Sequence, residues 1–434
     1  MEVVIVGGGI GGLTLALTLH RAGIASRVYE SASQMRSIGV GINILPHAAK
    51  ELISLGLSDE LARASVLTEE AVFFNRFGQL IFREPLGRAA GYEWPQYSIH
   101  RGDLQMVLLE AVRARVGADR VFAGWKCVGF EQDGRRATVR FQDATTGEEL
   151  PPQQGDVVVG CDGIHSRIRK QLHPREGEPL YSGVNMWRGV TRWPPFLSGA
   201  SMVRAGWLST GKMVIYPIKN RIDEEGRQLV NWVAEVETPR HVTRDWNRRG
   251  ELRDFLPAFA DWHFSWLDVP AFLQAADSIL EFPMVDQDPL PFWTQGRVTL
   301  LGDAAHPMVP RGSNGAGQAI LDAQVLAEEL LRQKEPEAAL TVYETRRLPA
   351  TANVVRMNRQ NPPDAILREV YVRSGDKPFA RIEDVISKEE LQQISDRYKQ
   401  VAGYDRKSLE RGGAGSARVA SREAQQGGGS GDKR

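Results

Sequence analysis

One stretch constrains this chain more than any other. In VVIVGGGIGGLTLALTLHRAGIASRVYE, residues 3–30, the glycines Gly7, Gly8, Gly9, Gly11 and Gly12 crowd between an apolar run and a helix-like run. A short strand ending in G-x-G-x-x-G, then a helix, then a second strand ending in an acid, is the arrangement that binds a dinucleotide. In that arrangement Gly7 allows the tight turn, Gly9 lets a pyrophosphate touch the backbone, and Gly12 lets the helix lie close to the strand. Leu13 follows in the first turn of the helix, whose N-terminus offers free N–H groups and a partial positive charge to phosphates. Glu30 is placed to accept hydrogen bonds from ribose hydroxyls. The bland alternative is a glycine turn that only joins a strand to a packed helix. The motif having its context on both sides argues for the ligand.

Composition narrows the setting. The 434 residues suffice for two packed domains or one large domain with an insertion. Lys+Arg and Asp+Glu are both 54, so no overall charge bias points to nucleic acid or to an acidic membrane surface. Two cysteines, Cys127 and Cys161, cannot make a disulfide framework, which suits a reducing compartment. The N-terminus enters strand-like sequence at once, which reads as a chain without a signal peptide. No apolar run approaches the roughly 20 residues that cross a bilayer. The expectation is a cytoplasmic protein, monomer or homodimer, that binds neither nucleic acid nor membrane. The eight histidines form no H-E-x-x-H or Cys/His pattern, so no metal site is expected. A G-x-S-x-G elbow is also lacking. Difficult chemistry here would need an organic cofactor.

Along the chain, residues 46–65 read as two short helices, with Ser58 a plausible N-cap of the second. EEAVFFNRFGQLIFREP resembles a hairpin turning at Gly78, and HRGDLQMVLLEAVRARVG reads as one helix ending at Gly117. From 181 to 282 the texture changes to strand-like runs rich in β-branched and aromatic residues. Seven of the ten tryptophans fall there: Trp187, Trp193, Trp207, Trp232, Trp246, Trp262 and Trp266. Large aromatics filling a sheet core explain them, and so would a concave aromatic wall for a flat ligand. Residues 283–360 return to a strand, a glycine-rich loop and a long helix; 361–405 read as C-terminal helices. The tail from 406 to 434 is Gly, Ser, Arg and Gln with few apolar residues and reads as disordered. Three glycine-marked turns, at Gly7–Gly12, Asp162-Gly163 and Gly302-Asp303, each follow an apolar run. In an open α/β sheet such turns converge on one crevice and can share an elongated ligand.

Together, G-x-G-x-x-G at Gly7–Gly12, DGIHSRIR at Asp162–Arg169 and GDAAHPMVPRGSNGAGQAILDA at Gly302–Ala323 resemble the three fingerprints of the single-component FAD-dependent aromatic hydroxylases. That family includes the p-hydroxybenzoate and salicylate hydroxylases. The resemblance covers about residues 1–360, and GVGINI, YSIHRGDLQM, MWRGVT and NGAGQAILD look most like its phenazine-carboxylate monooxygenase branch. It implies an α/β fold. A Rossmann-type, doubly wound FAD-binding domain would be formed by 1–180 and 283–360, with 181–282 inserted as a mixed β-sheet substrate domain.

The resemblance also implies roles. Gly7, Gly9, Gly12, Leu13 and Glu30 would hold the ADP part of FAD, with Cys127 offering backbone to the adenine. Arg101 would reach the pyrophosphate and ribityl region, unless it is only an exposed arginine at a helix start. Gly41 would border the flavin, and Asp303 would accept from ribityl or ribose hydroxyls, or serve as an N-cap. Asp162 and Arg169 belong to the D-G-x-x-S-x-x-R pattern associated with FAD and the nicotinamide donor; Arg169 could instead only form a salt bridge. The loop holding Pro310, Gly315 and Ala316 would turn backbone amides and a helix dipole toward the flavin ring. The family order G-Q-G-x-N is replaced there by Gly312-Ser313-Asn314-Gly315-Ala316, which leaves open which side chain touches flavin or substrate. His306 is a candidate catalytic base, with a structural role favoured. Trp187, Arg188, Tyr216 and Trp232 are candidate substrate contacts, each with a core or salt-bridge alternative.

The implied activity is hydroxylation of an aromatic or heteroaromatic substrate, with polycyclic carboxylated compounds among the candidates. NADH or NADPH would be the transient donor and O2 the co-substrate, through a C4a-hydroperoxyflavin. An FAD-dependent epoxidase, oxidase or dehydrogenase is the alternative.

Overall fold

The apolar run Val3–Val6 forms the centre of a parallel sheet, where a strand is covered on both faces and reads as continuous hydrophobics. All four side chains are buried in strand Glu2–Val6. This computed structural model describes residues 1–37, 39–238, 249–360 and 362–410. The sheet runs in the order Val298–Leu300, Val157–Gly160, Glu2–Val6, Ala25–Glu30, Val121–Ala123, with every pairing parallel. Helices Ile10–Arg21 and Gly315–Arg332 pack against the same apolar core.

Three adjacent strands of this sheet, those ending at Leu300, Gly160 and Val6, lead straight into the three glycine-marked turns. Being parallel, they end at one edge. The turns are stitched there by backbone bonds: Cys161 N to Val6 O at 2.7 Å and Leu301 N to Gly160 O at 2.9 Å. Segments some 150 residues apart in sequence thus line one crevice.

The aromatic middle of the chain forms a second, seven-stranded sheet in the order Ala276–Asp286, Leu180–Trp193, Gln228–Glu237, Lys212–Lys219, Ser201–Gly206, Glu70–Phe74, Leu80–Pro85. Its last two strands are the hairpin read at Gly78, so the sheet borrows from the 1–180 segment. An edge strand carries unpaired backbone groups, and Ser201–Gly206 satisfies them by pairing parallel with Glu70–Phe74.

Some local readings shift. Ser58 is the first helical residue, not the cap; the buried Leu57 takes that place, and its carbonyl accepts from Leu61 N. The helix starting at Arg101 is regular only to Val112 and ends in a π-turn, Arg113–Gly117. Helices Ala365–Ser374 and Lys388–Ala402 fill the C-terminal stretch. Residues 406–410 are helical, and the rest of the tail, like Trp246, lies outside the described residues.

Candidate active site

At the outer end of the crevice, sterics separate the glycines of the first turn. A Cβ on Gly12 would sit 2.0 Å from the Gly7 carbonyl oxygen, and one on Gly7, whose φ is +113°, would sit 2.3 Å from the Cys161 oxygen. These two positions bring strand and helix together. A Cβ on Gly9 would meet nothing within 4 Å. Gly9 caps helix Ile10–Arg21 without a side-chain bond, so open space lies in front of that helix N-terminus. Glu30 closes the turn, accepting from Gly8 N and from Ala32 N, each at 2.7 Å. Gln105 donates to Gly8 O at 2.8 Å. The Leu13 side chain is fully buried in the core, so only its backbone faces this end.

The middle of the crevice is polar. Protein surrounds the Asp303 carboxyl closely enough for desolvation to raise its pKa, while His306 and Arg101 pull it down; its surface nevertheless stays open. Among the described residues the exposed Arg101 side chain has no hydrogen-bond or ion-pair partner. Ser166 caps helix Arg167–Leu172, and Asp162 supports that start, accepting from the Ser166 hydroxyl at 2.5 Å and from Arg167 N at 2.7 Å. Burial, with the charge of Asp162 adding to it, pushes the Cys127 thiol up to about 12.

Two candidates point away from the crevice. Arg169 is buried and spends its guanidinium on Ala304 O at 2.9 Å, Ala305 O at 3.0 Å and Glu176. It clamps the Gly302–Ala305 turn from behind, and at 3% exposure it is turned away from any phosphate of a nicotinamide dinucleotide in the crevice. His306 is buried, with Nε2 2.6 Å from Asp322. Asp322 also accepts from Arg347 at 2.6 Å and from Gly302 N at 3.1 Å. The histidine therefore holds the turn to helix Gly315–Arg332, the structural role, instead of facing the crevice as a base.

The inner end is built on the second sheet, where the period of two decides which residues face it. Trp187 and Trp232 point to the far side. Trp187 stacks on Phe255 with centroids 5.1 Å apart, and Trp232 donates to Thr191 Oγ1 at 3.0 Å inside an aromatic core. A Cβ on Gly189 would lie 2.4 Å from the Trp232 ring, which explains the glycine after Arg188. These tryptophans are core, not substrate wall.

Their neighbours Arg188, Asn231 and Tyr216 project to the opposite face and converge on Gly41. Arg188 and Tyr216 donate to Gly41 O at 2.8 and 2.9 Å, and Gly41 N donates to Asn231 Oδ1 at 2.7 Å. A Cβ on Gly41 would collide with Asn231 at 2.6 Å. Burial lowers the Arg188 pKa, while the neighbouring Tyr216 raises it. Val190, Val214 and Val233 lie on the same face as Arg188 and stay partly open in mid-sheet. They form an apolar plate beside a cation.

Over this plate lies the loop Pro310–Ala316, joined to the Gly41 strand by Asn43 Nδ2 and Ser313 Oγ, 3.4 Å apart. The helix beginning at Gly315 has no side-chain cap, and a Cβ on Gly315 would meet only Asp303 Oδ1, at 3.8 Å. Asn314 turns instead to Tyr398, 2.7 Å away on the last helix. Asn231, Gln105, Arg311 and Tyr398 escaped the sequence reading as side chains. Alternation along Gln228–Glu237 would have singled out Asn231; no local signal points to Tyr398.

These features fit FAD. Two helix N-termini without side-chain caps, at Gly9 and Gly315, face the crevice with room in front of them, as a pyrophosphate and an electron-rich ring require. Between them an open carboxylate, Asp303, and an unpartnered cation, Arg101, suit a chain of hydroxyls and phosphates.

The comparisons agree. The family described as FAD binding domain matches residues 1–358. The chain is 44% identical over 390 residues to the phenazine 1,6-dicarboxylic acid hydroxylase PhzS of Lysobacter antibioticus, covering 89% of this chain and 95% of that one. It is 30% identical over 371 residues to the 6-hydroxynicotinate 3-monooxygenase of Pseudomonas fluorescens, covering 83% and 91%. In fold it is similar to Klebsiella pneumoniae HpxO, whose structure holds FAD and uric acid, with a TM-score of 0.73 at 24% identity over 92% of this chain and 96% of that one. An FAD-binding crevice with an apolar plate and a cation at its inner end thus coincides with relatives that are aromatic hydroxylases, and the chain belongs to this family of FAD-dependent aromatic monooxygenases.

Proposed function

We propose that this enzyme hydroxylates a flat, carboxylated polycyclic or heteroaromatic compound lying between the second sheet and the loop Pro310–Ala316. One observation carries the reading: Arg188 stands beside the open side chains of Val190, Val214 and Val233, with its Nε buried and lacking a hydrogen-bond partner. An apolar plate takes a ring, and a guanidinium with a free N–H takes a carboxylate. The substrate named for the Lysobacter relative, phenazine 1,6-dicarboxylic acid, has this chemistry.

Gly7, Gly9, Gly12 and Glu30 would hold the ADP part of FAD, with Arg101 and Asp303 along its middle. Gly41, Gly315 and Ala316 would present backbone to the flavin. Bound FAD, reduced by NADH or NADPH, supplies the activation of O2. The protein's part is to stabilise the negative charge of the reduced ring at the helix N-terminus, to hold the substrate ring in place and to keep water out. Tyr216 and Asn231 hold Gly41, and so keep the inner wall in place. No helix among the described residues is long and apolar enough to cross a membrane, and both cysteines are free thiols, which supports action in the cytoplasm.

The test is to purify the yellow protein and screen aromatic acids, phenazine-1,6-dicarboxylate among them, for acceleration of NADH or NADPH oxidation. Products are then weighed for one added oxygen. Acceleration that yields only hydrogen peroxide, with no oxygenated product from any ring compound, would overturn the proposal.

A further inference from the structure

The face of the second sheet that carries Arg188 also carries a buried charge cluster. Lys212 and Glu235 lie opposite each other in the register, and Arg204 projects from the next strand. Asp364 approaches from the segment before helix Ala365–Ser374, and Arg311 from the loop Pro310–Ala316. Lys212 donates to Glu235 at 2.7 Å and contacts Asp364 directly. Arg204 pairs with Asp364 at 3.1 Å. Lys212 and Arg204 thus each hold an acid, but Glu235 Oε2 and Asp364 Oδ1 are buried without a hydrogen-bond partner. Arg311 joins them only by a long ion pair, its Nε 3.7 Å from that Glu235 Oε2 and beyond hydrogen-bond reach. Both Nε and Nη2 of Arg311 are buried and have no hydrogen-bond partner.

Leaving buried guanidinium N–H groups unsatisfied is costly, and a carboxylate from outside the chain would satisfy those of Arg311. Arg188 is in the same condition at its own Nε. Four cations against two acids leave two positive charges over, and these are the two arginines with free donors. Arg188 lies opposite Val233, and Glu235, which Arg311 faces, is two residues further along that strand. Two residues of strand are roughly 7 Å, wider than one carboxylate can bridge.

We propose that Arg311 is a specificity-determining residue that binds a second acidic group of the substrate, at the opposite edge of the ring from the one held by Arg188. The site then selects aromatic compounds carrying two acidic groups over those carrying one. This rests on the aromatic-acid reading above.

The test uses the FAD-loaded enzyme and titration calorimetry, with phenazine-1,6-dicarboxylate and phenazine-1-carboxylate as probes. Wild type should bind the diacid at least about tenfold more tightly than the monoacid. Arg311→Gln should weaken the diacid by roughly 10- to 100-fold and leave the monoacid within about twofold, a loss of one charge-assisted contact. Arg311→Lys, which keeps the charge and spares the cluster, should restore part of the preference. If wild type binds both acids equally, or if Arg311→Gln and Arg311→Lys weaken both equally, the assignment of Arg311 fails while the aromatic-acid reading stands. A shift in flavin reduction potential in Arg311→Gln without a change in the diacid-to-monoacid ratio assigns the arginine to the flavin and also overturns the proposal. If neither acid binds wild type, this assignment falls, and the aromatic-acid reading is decided by the screen above.

Discussion

Gly312 and Tyr398 are in such close contact that a Cβ on Gly312 would lie 1.7 Å from the Tyr398 hydroxyl oxygen. That hydroxyl accepts from Asn314 and donates to Asn358 Oδ1, each at 2.7 Å. The last helix thus reaches into the loop that faces the proposed flavin site. Its tyrosine, 2% exposed, lies beyond the 1–358 segment that the family match covers.

Breaking this contact should loosen the loop. Tyr398→Phe keeps the ring but leaves Asn314 and Asn358 short of a partner, at a cost of about 1–3 kcal/mol. Gly312→Ala should cost at least as much, because its φ of +88° is strained for alanine and the tyrosine must move. Thermal melts of the FAD-loaded protein check both, and melting points equal to wild type would refute the coupling.

The glycines of the first turn should separate by experiment. Gly9→Ala meets open space, so the FAD-free protein should stay within about 1 kcal/mol of wild type while FAD affinity drops at least about tenfold. Gly12→Ala drives a methyl into the Gly7 carbonyl, and should destabilise the FAD-free protein by about 3 kcal/mol or more. Urea unfolding of the FAD-free forms and flavin-fluorescence titration provide the two readouts. A Gly9→Ala protein that binds FAD like wild type would contradict the placement of the pyrophosphate.

Arg188 and Trp232 sit on opposite faces of one sheet and should fail differently. Arg188→Gln is expected to raise KM for a carboxylated substrate by roughly 10- to 100-fold, from loss of a charge-assisted contact. Trp232→Ala should cost about 3–5 kcal/mol of stability as a cavity in the aromatic core. Trp232→Phe, if it folds, should leave KM near wild type. Steady-state kinetics beside unfolding curves distinguish the two, and a selective KM effect in Trp232→Phe would return the tryptophan to the substrate wall.

His47 predicts a pH dependence of folding. Desolvation, with Arg347 adding repulsion, lowers its pKa to about 3, and neither ring nitrogen has a hydrogen-bond partner. The folded state keeps the ring neutral while the unfolded chain takes up a proton below pH 6.5. Its contribution is therefore intact above 6.5 and lost as pH falls from 6.5 toward 3, at up to about 1.4 kcal/mol per pH unit. His47→Leu should flatten this slope by that amount when urea unfolding is compared at pH 7 and pH 5. Parallel slopes in wild type and variant would show that the ring is protonated in the fold.

Much of the architecture was legible from local demands. A turn as tight as Gly7–Gly12 accepts no side chain at two of its positions, so the glycines mark it wherever it occurs. The buried parallel strands are continuous apolar runs because helices and loops cover both faces. The Asp303 turn and the Gly315 helix start were readable for the same reason: they are backbone features, specified by residues next to one another.

What the sequence could not supply was the partner of each side chain. Trp187 and Arg188 are adjacent, yet one belongs to the core and the other to the inner end of the crevice, because pleating sends successive side chains to opposite faces. Only the pairing of strands says which face meets the loop Pro310–Ala316. Arg169 and His306 stand in the fingerprints, and the fold turns them inward onto Ala304, Ala305 and Asp322. Tyr398 is 84 residues from Asn314. Local sequence thus determined where the backbone bends and which runs are buried, since those depend on neighbours in the chain. Tertiary structure decided which charges meet, because burial and electrostatic pairing depend on distance in space.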